Sequence, residues 1–171
     1  TILDYFNNES RKKIIKKHGK AKIITATNVF AHIDNVNNLI SNIKKCLDKD
    51  GVFISESHYL LKVISGVQYD TIYHEHMRYY SLTSLQKLFK KNNLHIFHAK
   101  EIPTHGGSIR VYVSNNQNKK ETLEVKKILK KEKKLFSTSS LEKFKKNVFK
   151  SKLDLISKIN YIKKQGHTIY G

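Results

Sequence analysis

AKIITATNVFAHIDNVNNLISNIKKCLDKDGVFI, residues 21–54, decides the fold. Ala21 to Thr27 reads as a buried strand. Asn35 to Leu47 then sets Val36, Leu39, Ile40, Ile43 and Leu47 three or four residues apart, the spacing that gathers side chains on one face of a helix. Asp48, Lys49, Asp50 and Gly51 carry turn chemistry, and Val52, Phe53 and Ile54 open a second strand. A strand–helix–strand connection joins parallel neighbours, which a tight hairpin cannot do, and its hand is right-handed. The segment predicts an α/β fold built on a parallel sheet.

Upstream, Asn7 or Asn8 can cap an amphipathic helix over Glu9 to His18, and Gly19 stops it. Downstream, Ser81 to Asn92 is a helix capped by Ser81 or Thr83, with Leu82, Leu85, Leu88 and Phe89 inward. Leu94 to Ile102 and Ser108 to Ser114 are strands. Only Pro103-Thr104-His105-Gly106-Gly107 joins them, too little chain for a crossover, so they pair antiparallel. A mostly parallel sheet that ends in one reversed strand is the result. Lysine-rich helices follow over Glu121 to Leu135 and Ser140 to Lys163, broken at Ser137 to Ser140, and His167-Thr168-Ile169-Tyr170-Gly171 reads as the start of a further strand that is cut.

A chain of 171 residues suffices for one core, with room for an appended segment. The formal charge of +19 invites a nucleic-acid or anionic-membrane reading, but more than half of it falls between Lys119 and Lys164. The excess is lysine rather than arginine, and no aromatic–basic interleaving accompanies it, so no specific nucleic-acid partner is expected. The lone cysteine, Cys46, excludes an internal disulfide or multi-cysteine zinc site, and its helical face makes it core filler. No apolar run approaches the ~18 residues of a membrane span, and no signal segment opens the chain, so a cytoplasmic protein with no membrane partner is expected.

In an open parallel sheet, ligands collect beyond the carboxyl ends of the strands, which directs attention to the loops after Thr27 and Ser57. The first holds Asn28-Val29-Phe30-Ala31-His32, structural as readily as functional on its own. The second holds Asp70-Thr71-Ile72-Tyr73-His74-Glu75-His76, dense in titratable groups that are costly to bury without partners. A solvated loop is its plain reading. A metal site lacks a third ligand at a characteristic spacing, so no metal is expected. Proton chemistry suits it best: histidine titrates near ~6.5, so His76 can take a proton at neutral pH, Glu75 can orient it, and Tyr73 can hold a substrate oxygen. A third site, Thr104-His105-Gly106-Gly107-Ser108 with Arg110 beyond, is either a glycine turn needing positive φ or a grip for a hydroxylated or phosphorylated ligand.

Together, in this order, Asn28-Val29-Phe30-Ala31-His32, Tyr73-His74-Glu75-His76 with Tyr79 and Ser81-Leu82-Thr83, and His105-Gly106-Gly107-Ser108 resemble the S-adenosylmethionine-dependent sugar C-methyltransferases of deoxysugar biosynthesis, over about Phe6 to Val113. The resemblance implies the class I methyltransferase fold, a Rossmann-like, mostly parallel sheet ending in an antiparallel hairpin. Residues 1–116 would be the C-terminal half of that catalytic domain, 117–165 a lysine-rich helical segment, and 166–171 the start of a C-terminal domain. It implies methyl transfer from S-adenosylmethionine to the carbon beside the ketone of a nucleotide-linked 4-keto-deoxysugar. His76 would be the general base, with Tyr73, Glu75 and His32 orienting the sugar and stabilising the enolate. His105, Gly106, Gly107, Ser108 and Arg110 would bind substrate, and Asn28 and Val29 would border the cofactor. The family's cysteine-rich zinc domain and glycine-rich cofactor loop have no counterpart here, so an upstream half or a second copy of the chain is the expected protein partner and cofactor binding by this chain alone is expected to be weak. A non-catalytic fragment of such an enzyme and a basic anion-binding module stand as alternatives.

Overall fold

The computed structural model describes residues 1–170. Its sheet has four strands in the spatial order β1-β2-β4-β3: β1 Ala21–Thr27, β2 Leu47–His58, β3 His95–Ile102 and β4 Ser108–Ser114. β1 and β2 are parallel, with Thr25 opposite Ile54 and Thr27 opposite Glu56. β4 runs antiparallel to β2 on one side and to β3 on the other. The α/β sheet with a terminal antiparallel hairpin is therefore present. The reversed strand does not sit at the sheet's end, however. Ile109, Val111 and Val113 of β4 are fully buried, whereas β3 carries Lys100, Glu101 and two histidines. The more apolar strand takes the central place and leaves β3 at the edge.

β1 differs from expectation. None of its residues is buried, and Ile23 is 66% exposed, because among the described residues β1 has a neighbour on one side only. At its other end β2 begins earlier than expected. Leu47 is already its first residue, and the register with β1 slips between Ala21 and Ile23, where the Asp50 amide folds onto the Asp48 side chain at 3.3 Å.

The helices follow their caps. In α1, Asn8–His18, the Asn7 side chain accepts from the Glu9 and Ser10 amides, Ser10 returns the favour to the Asn7 amide, and Gly19 closes the helix at φ 75. In α2, Val36–Cys46, Asn35 caps Asn38, and Val36, Ile40, Ile43 and Cys46 are buried. Burial raises the Cys46 thiol above its ordinary value, so this cysteine is inert packing. α3 spans Leu60–Ser65 and α4 spans Leu82–Lys91. Phe30, Phe53 and Phe89 join the β1 loop, the sheet and α4 at centroid distances of 5.7–6.0 Å. Each fully buried ring stabilises by about 1.5–3 kcal/mol.

α5, Leu123–Leu135, lies on β3 and α4 and contributes Val125 and Ile128 to the same core. Its Glu132, wholly buried, sits at the start of α4 and accepts from the Leu82 and Thr83 amides, the Thr83 hydroxyl and the Tyr59 hydroxyl. α6, Thr138–Lys164, has no buried residue and meets the body at α3, with Tyr69 and Ser151 hydroxyls 3.4 Å apart. His167–Tyr170 form no strand, there being no partner strand beside them among the described residues, and Gly171 lies outside those residues. No described helix is long and apolar enough to cross a membrane.

Candidate active site

The β1 loop is set by one backbone oddity and one anchor. Asn28 takes a left-handed conformation, φ 55, which asparagine tolerates better than most residues, and its amide donates to the Glu56 carbonyl at 2.9 Å. A short turn over Phe30–His32 then buries Phe30 completely, leaving His32 outward.

The segment between α3 and α4 is pinned to this loop. The Met77 amide donates to the Ala31 carbonyl at 3.0 Å, and the Arg78 guanidinium donates to the carbonyls of Ile33 and, at 2.7 Å, Asp34. The His32 ring adds a bond from Nδ1 to the Glu75 carbonyl at 2.9 Å. A carbonyl only accepts, so His32 Nδ1 carries a hydrogen, and in the neutral ring Nε2 is bare. The same logic fixes His76. Its Nδ1 is 3.1 Å from the Thr71 carbonyl and therefore donates, leaving Nε2 to accept from the Tyr73 hydroxyl at 3.2 Å. The two imidazoles stand 5.0 Å apart, centre to centre.

The third loop turns sharply. His105, Gly106 and Gly107 all have positive φ, at 51, 75 and 121. A side chain at Gly107 would put Cβ 2.5 Å from Cγ of Lys62, so that position needs glycine for space as well as for backbone. The Gln68 amide donates to the Gly106 carbonyl at 2.9 Å, and its oxygen accepts from His58 Nε2 at 3.1 Å.

One cavity of about 340 Å³ joins the three loops, with Asn28, His32, Tyr73, His76 and His105 on its wall. Five of the residues singled out from sequence thus meet. The rest do not reach it. Glu75 is exposed, and its carboxylate has no hydrogen bond among the described residues; the part of Glu75 that acts on the site is its carbonyl, and His76 is oriented by Thr71 instead. Val29 is 36% exposed and off the wall. Gly106 and Gly107 shape the turn, and the buried Ser108 hydroxyl bonds back to the Thr104 carbonyl at 3.1 Å. Arg110 is held by the buried Glu56, with Nη2 at 2.8 Å and Nε at 3.1 Å from one carboxylate oxygen, while Thr104 donates to the other at 3.0 Å. Those bonds raise the guanidinium further and hold its charge against Glu56 rather than a ligand.

The wall also contains Ser57 and His58, to which the sequence reading gave no role, and Thr71, which it quoted in the second loop without a task. Their signal was there: a serine and a histidine at the carboxyl end of the strand, where ligands gather. Among the described residues no group of three or more histidine, cysteine or acidic side chains is arranged to hold a metal ion. The wall offers imidazole, phenol, hydroxyl and amide groups, with Asn28 as the cavity residue directly after β1.

Residues 2–99 match the family model of a methyltransferase domain, and residues 103–171 that of a C-methyltransferase C-terminal domain. C-methyltransferase NovU of Streptomyces niveus is 35% identical over 114 residues, which are 67% of this chain and 27% of that protein. The chain therefore spans about a quarter of that curated relative's length. Among solved structures, an S-adenosylmethionine-dependent methyltransferase from Clostridium acetobutylicum ATCC 824 aligns with TM-score 0.45 and 17% identity, over 57% of this chain and 59% of that one. Magnesium protoporphyrin IX methyltransferase from Synechocystis PCC 6803, with bound SAH, aligns with TM-score 0.43 and 13% identity, over 55% and 44%.

Proposed function

Because this chain belongs to the C-methyltransferase family, whose methyl donor is S-adenosylmethionine, we propose that it forms the acceptor side of a site that methylates the carbon beside the ketone of a nucleotide-linked 4-keto-deoxysugar. One observation carries the reading: His76, locked by the Thr71 carbonyl into the tautomer with a bare Nε2, faces a cavity shared with Tyr73 and His32.

In this scheme His76 Nε2 takes the proton from the carbon next to the ketone, and the electron pair of the broken C–H bond moves into an enolate. Tyr73 is 43% exposed, and its hydroxyl, held to Nε2 only at 3.2 Å, turns to the ketone oxygen and donates there as its charge grows. A positioned base contributes about 10²–10⁴-fold, too little for a carbon acid unless such a donor stabilises the enolate. His32, with Nε2 bare, accepts from a sugar hydroxyl and holds the ring in place. His105, on the cavity wall, meets the sugar from the third loop. When bound, S-adenosylmethionine supplies an electrophilic methyl on sulfur, and Asn28 would border that group.

The test uses the full-length polypeptide and a nucleotide-linked 4-keto-6-deoxyhexose in deuterated water. His76→Ala is expected to slow exchange of the α-hydrogen by about 10²-fold or more, the lower bound of a lost general base. Exchange at the wild-type rate would remove His76 from the role.

A further inference from the structure

Ser57 and His58 occupy the end of β2 on the cavity wall, and the scheme above gives neither a task. Ser57 is 2% exposed, and its hydroxyl has no hydrogen-bond partner among the described residues. Leaving such a group unpaired costs about 1–3 kcal/mol, so its position on a cavity wall points to a partner that arrives with the ligand. Ser55, unpaired two residues earlier, is off that wall and carries no such reading.

His58 is poised in a complementary way. Gln68 must present its amide nitrogen to the Gly106 carbonyl, which puts its oxygen toward His58 and fixes the hydrogen on Nε2. The neutral ring is left with a bare Nδ1 that has no partner among the described residues. One side chain thus offers a donor and its neighbour an acceptor. A ketone, carboxylate or phosphate oxygen only accepts, and would face the Nδ1 lone pair. A hydroxyl both donates and accepts through a single oxygen.

We infer that Ser57 and His58 form a hydroxyl-recognising subsite for the acceptor, with Gln68 as the positioning residue that sets the His58 tautomer and ties the subsite to the His105–Gly107 turn. The inference rests on the acceptor being a hydroxylated sugar. Its place beside His76, 6.4 Å from the His58 ring centre, assigns it the hydroxyl neighbouring the reacting carbon.

The experiment compares two probes on the full-length protein: a nucleotide-linked 4-keto-6-deoxyhexose with that hydroxyl, and the analogue with hydrogen there. The wild type is expected to favour the hydroxylated probe by about tenfold or more in kcat/KM, the combined worth of two neutral hydrogen bonds. Ser57→Ala and His58→Asn should each raise KM for the hydroxylated probe and leave KM for the analogue within twofold, so that the preference collapses. Nitrogen NMR without substrate should find His58 protonated on Nε2, and Gln68→Ala should mix its tautomers. Ser57→Ala should not lower the ligand-free Tm, since its hydroxyl is unpaired there. A retained preference in both variants, or a His58 ring protonated on Nδ1, overturns the subsite. If the wild type exchanges the α-hydrogen of both probes equally well, the subsite falls and the reaction stands; if it exchanges neither, both readings fall.

Discussion

Glu132 is the residue on which the most structure depends, and it stands in a run of lysines that reads as a solvated face. Buried at the start of α4, it takes the two amides that Ser81 and Ser84 do not settle, together with the hydroxyls of Thr83 and Tyr59. The helix dipole favours the carboxylate there. Burial first, then the charge of Glu132, pushes the Tyr59 phenol far above its ordinary value, so it stays a donor at any usable pH. Glu132→Ala strands four donors and is expected to cost about 3 kcal/mol or more, or ~6–12 °C in Tm for a chain of this size. A thermal melt within 2 °C of wild type would contradict this account. The same blindness affected Arg110 and Glu75. Residue type and spacing mark both as ligand-facing, but strand register sets Arg110 opposite the buried Glu56, and Glu75 stands exposed in a loop outside any strand. His76 and His105 were legible because polar groups cluster around them in sequence. Ser57 and His58 were overlooked because they belong to a strand.

At the scale of elements, the capped, periodic helices were legible nearly to the residue. α2 and α4 begin one residue after Asn35 and Ser81, as their side chains dictate. The stretch from Gly66 to Tyr80 has no such period, and its shape comes from one bond within it and from others across more than forty residues. Tyr79 bonds the Thr71 carbonyl, Tyr80 the Phe30 carbonyl, and Arg78 the end of the β1 loop. Arg78 is the clasp, for among the described residues it alone bridges two carbonyls across the gap. Arg78→Ala is expected to lower global stability by only about 1–2 kcal/mol, because the core lies elsewhere, yet to free the histidine loop. Limited proteolysis should then cut within residues 69–79 well before it cuts wild type. An unchanged cleavage pattern would show that Met77 and His32 suffice to hold the loop.

At the scale of the molecule, chain length between elements was the informative quantity: a helix between β1 and β2 forces them parallel, and five residues between β3 and β4 force a hairpin. What spacing did not reveal was that α5 closes the core, because its lysines mask Val125 and Ile128. Three elements meet at Glu101 of β3, where Lys131 of α5 approaches at 2.7 Å and Lys62 of α3 at 3.3 Å. Partial burial pushes this carboxyl upward, but the two lysines together outweigh it and hold it below its ordinary value. A carboxyl lowered on folding stabilises the ionised form. Its contribution is therefore complete above the unfolded value near ~4.3 and drains away as pH falls through the lower folded value. Both lysines are partly exposed, so the contribution is modest, about 1 kcal/mol at most. Glu101→Gln should accordingly lower Tm slightly at pH 7 and converge on wild type below pH ~4, a narrowing gap that other acid-labile carboxylates, common to both proteins, do not produce. Two melting curves that stay parallel from pH 7 to pH 3 would mean that Glu101 does not tie α3 and α5 to the sheet through its charge.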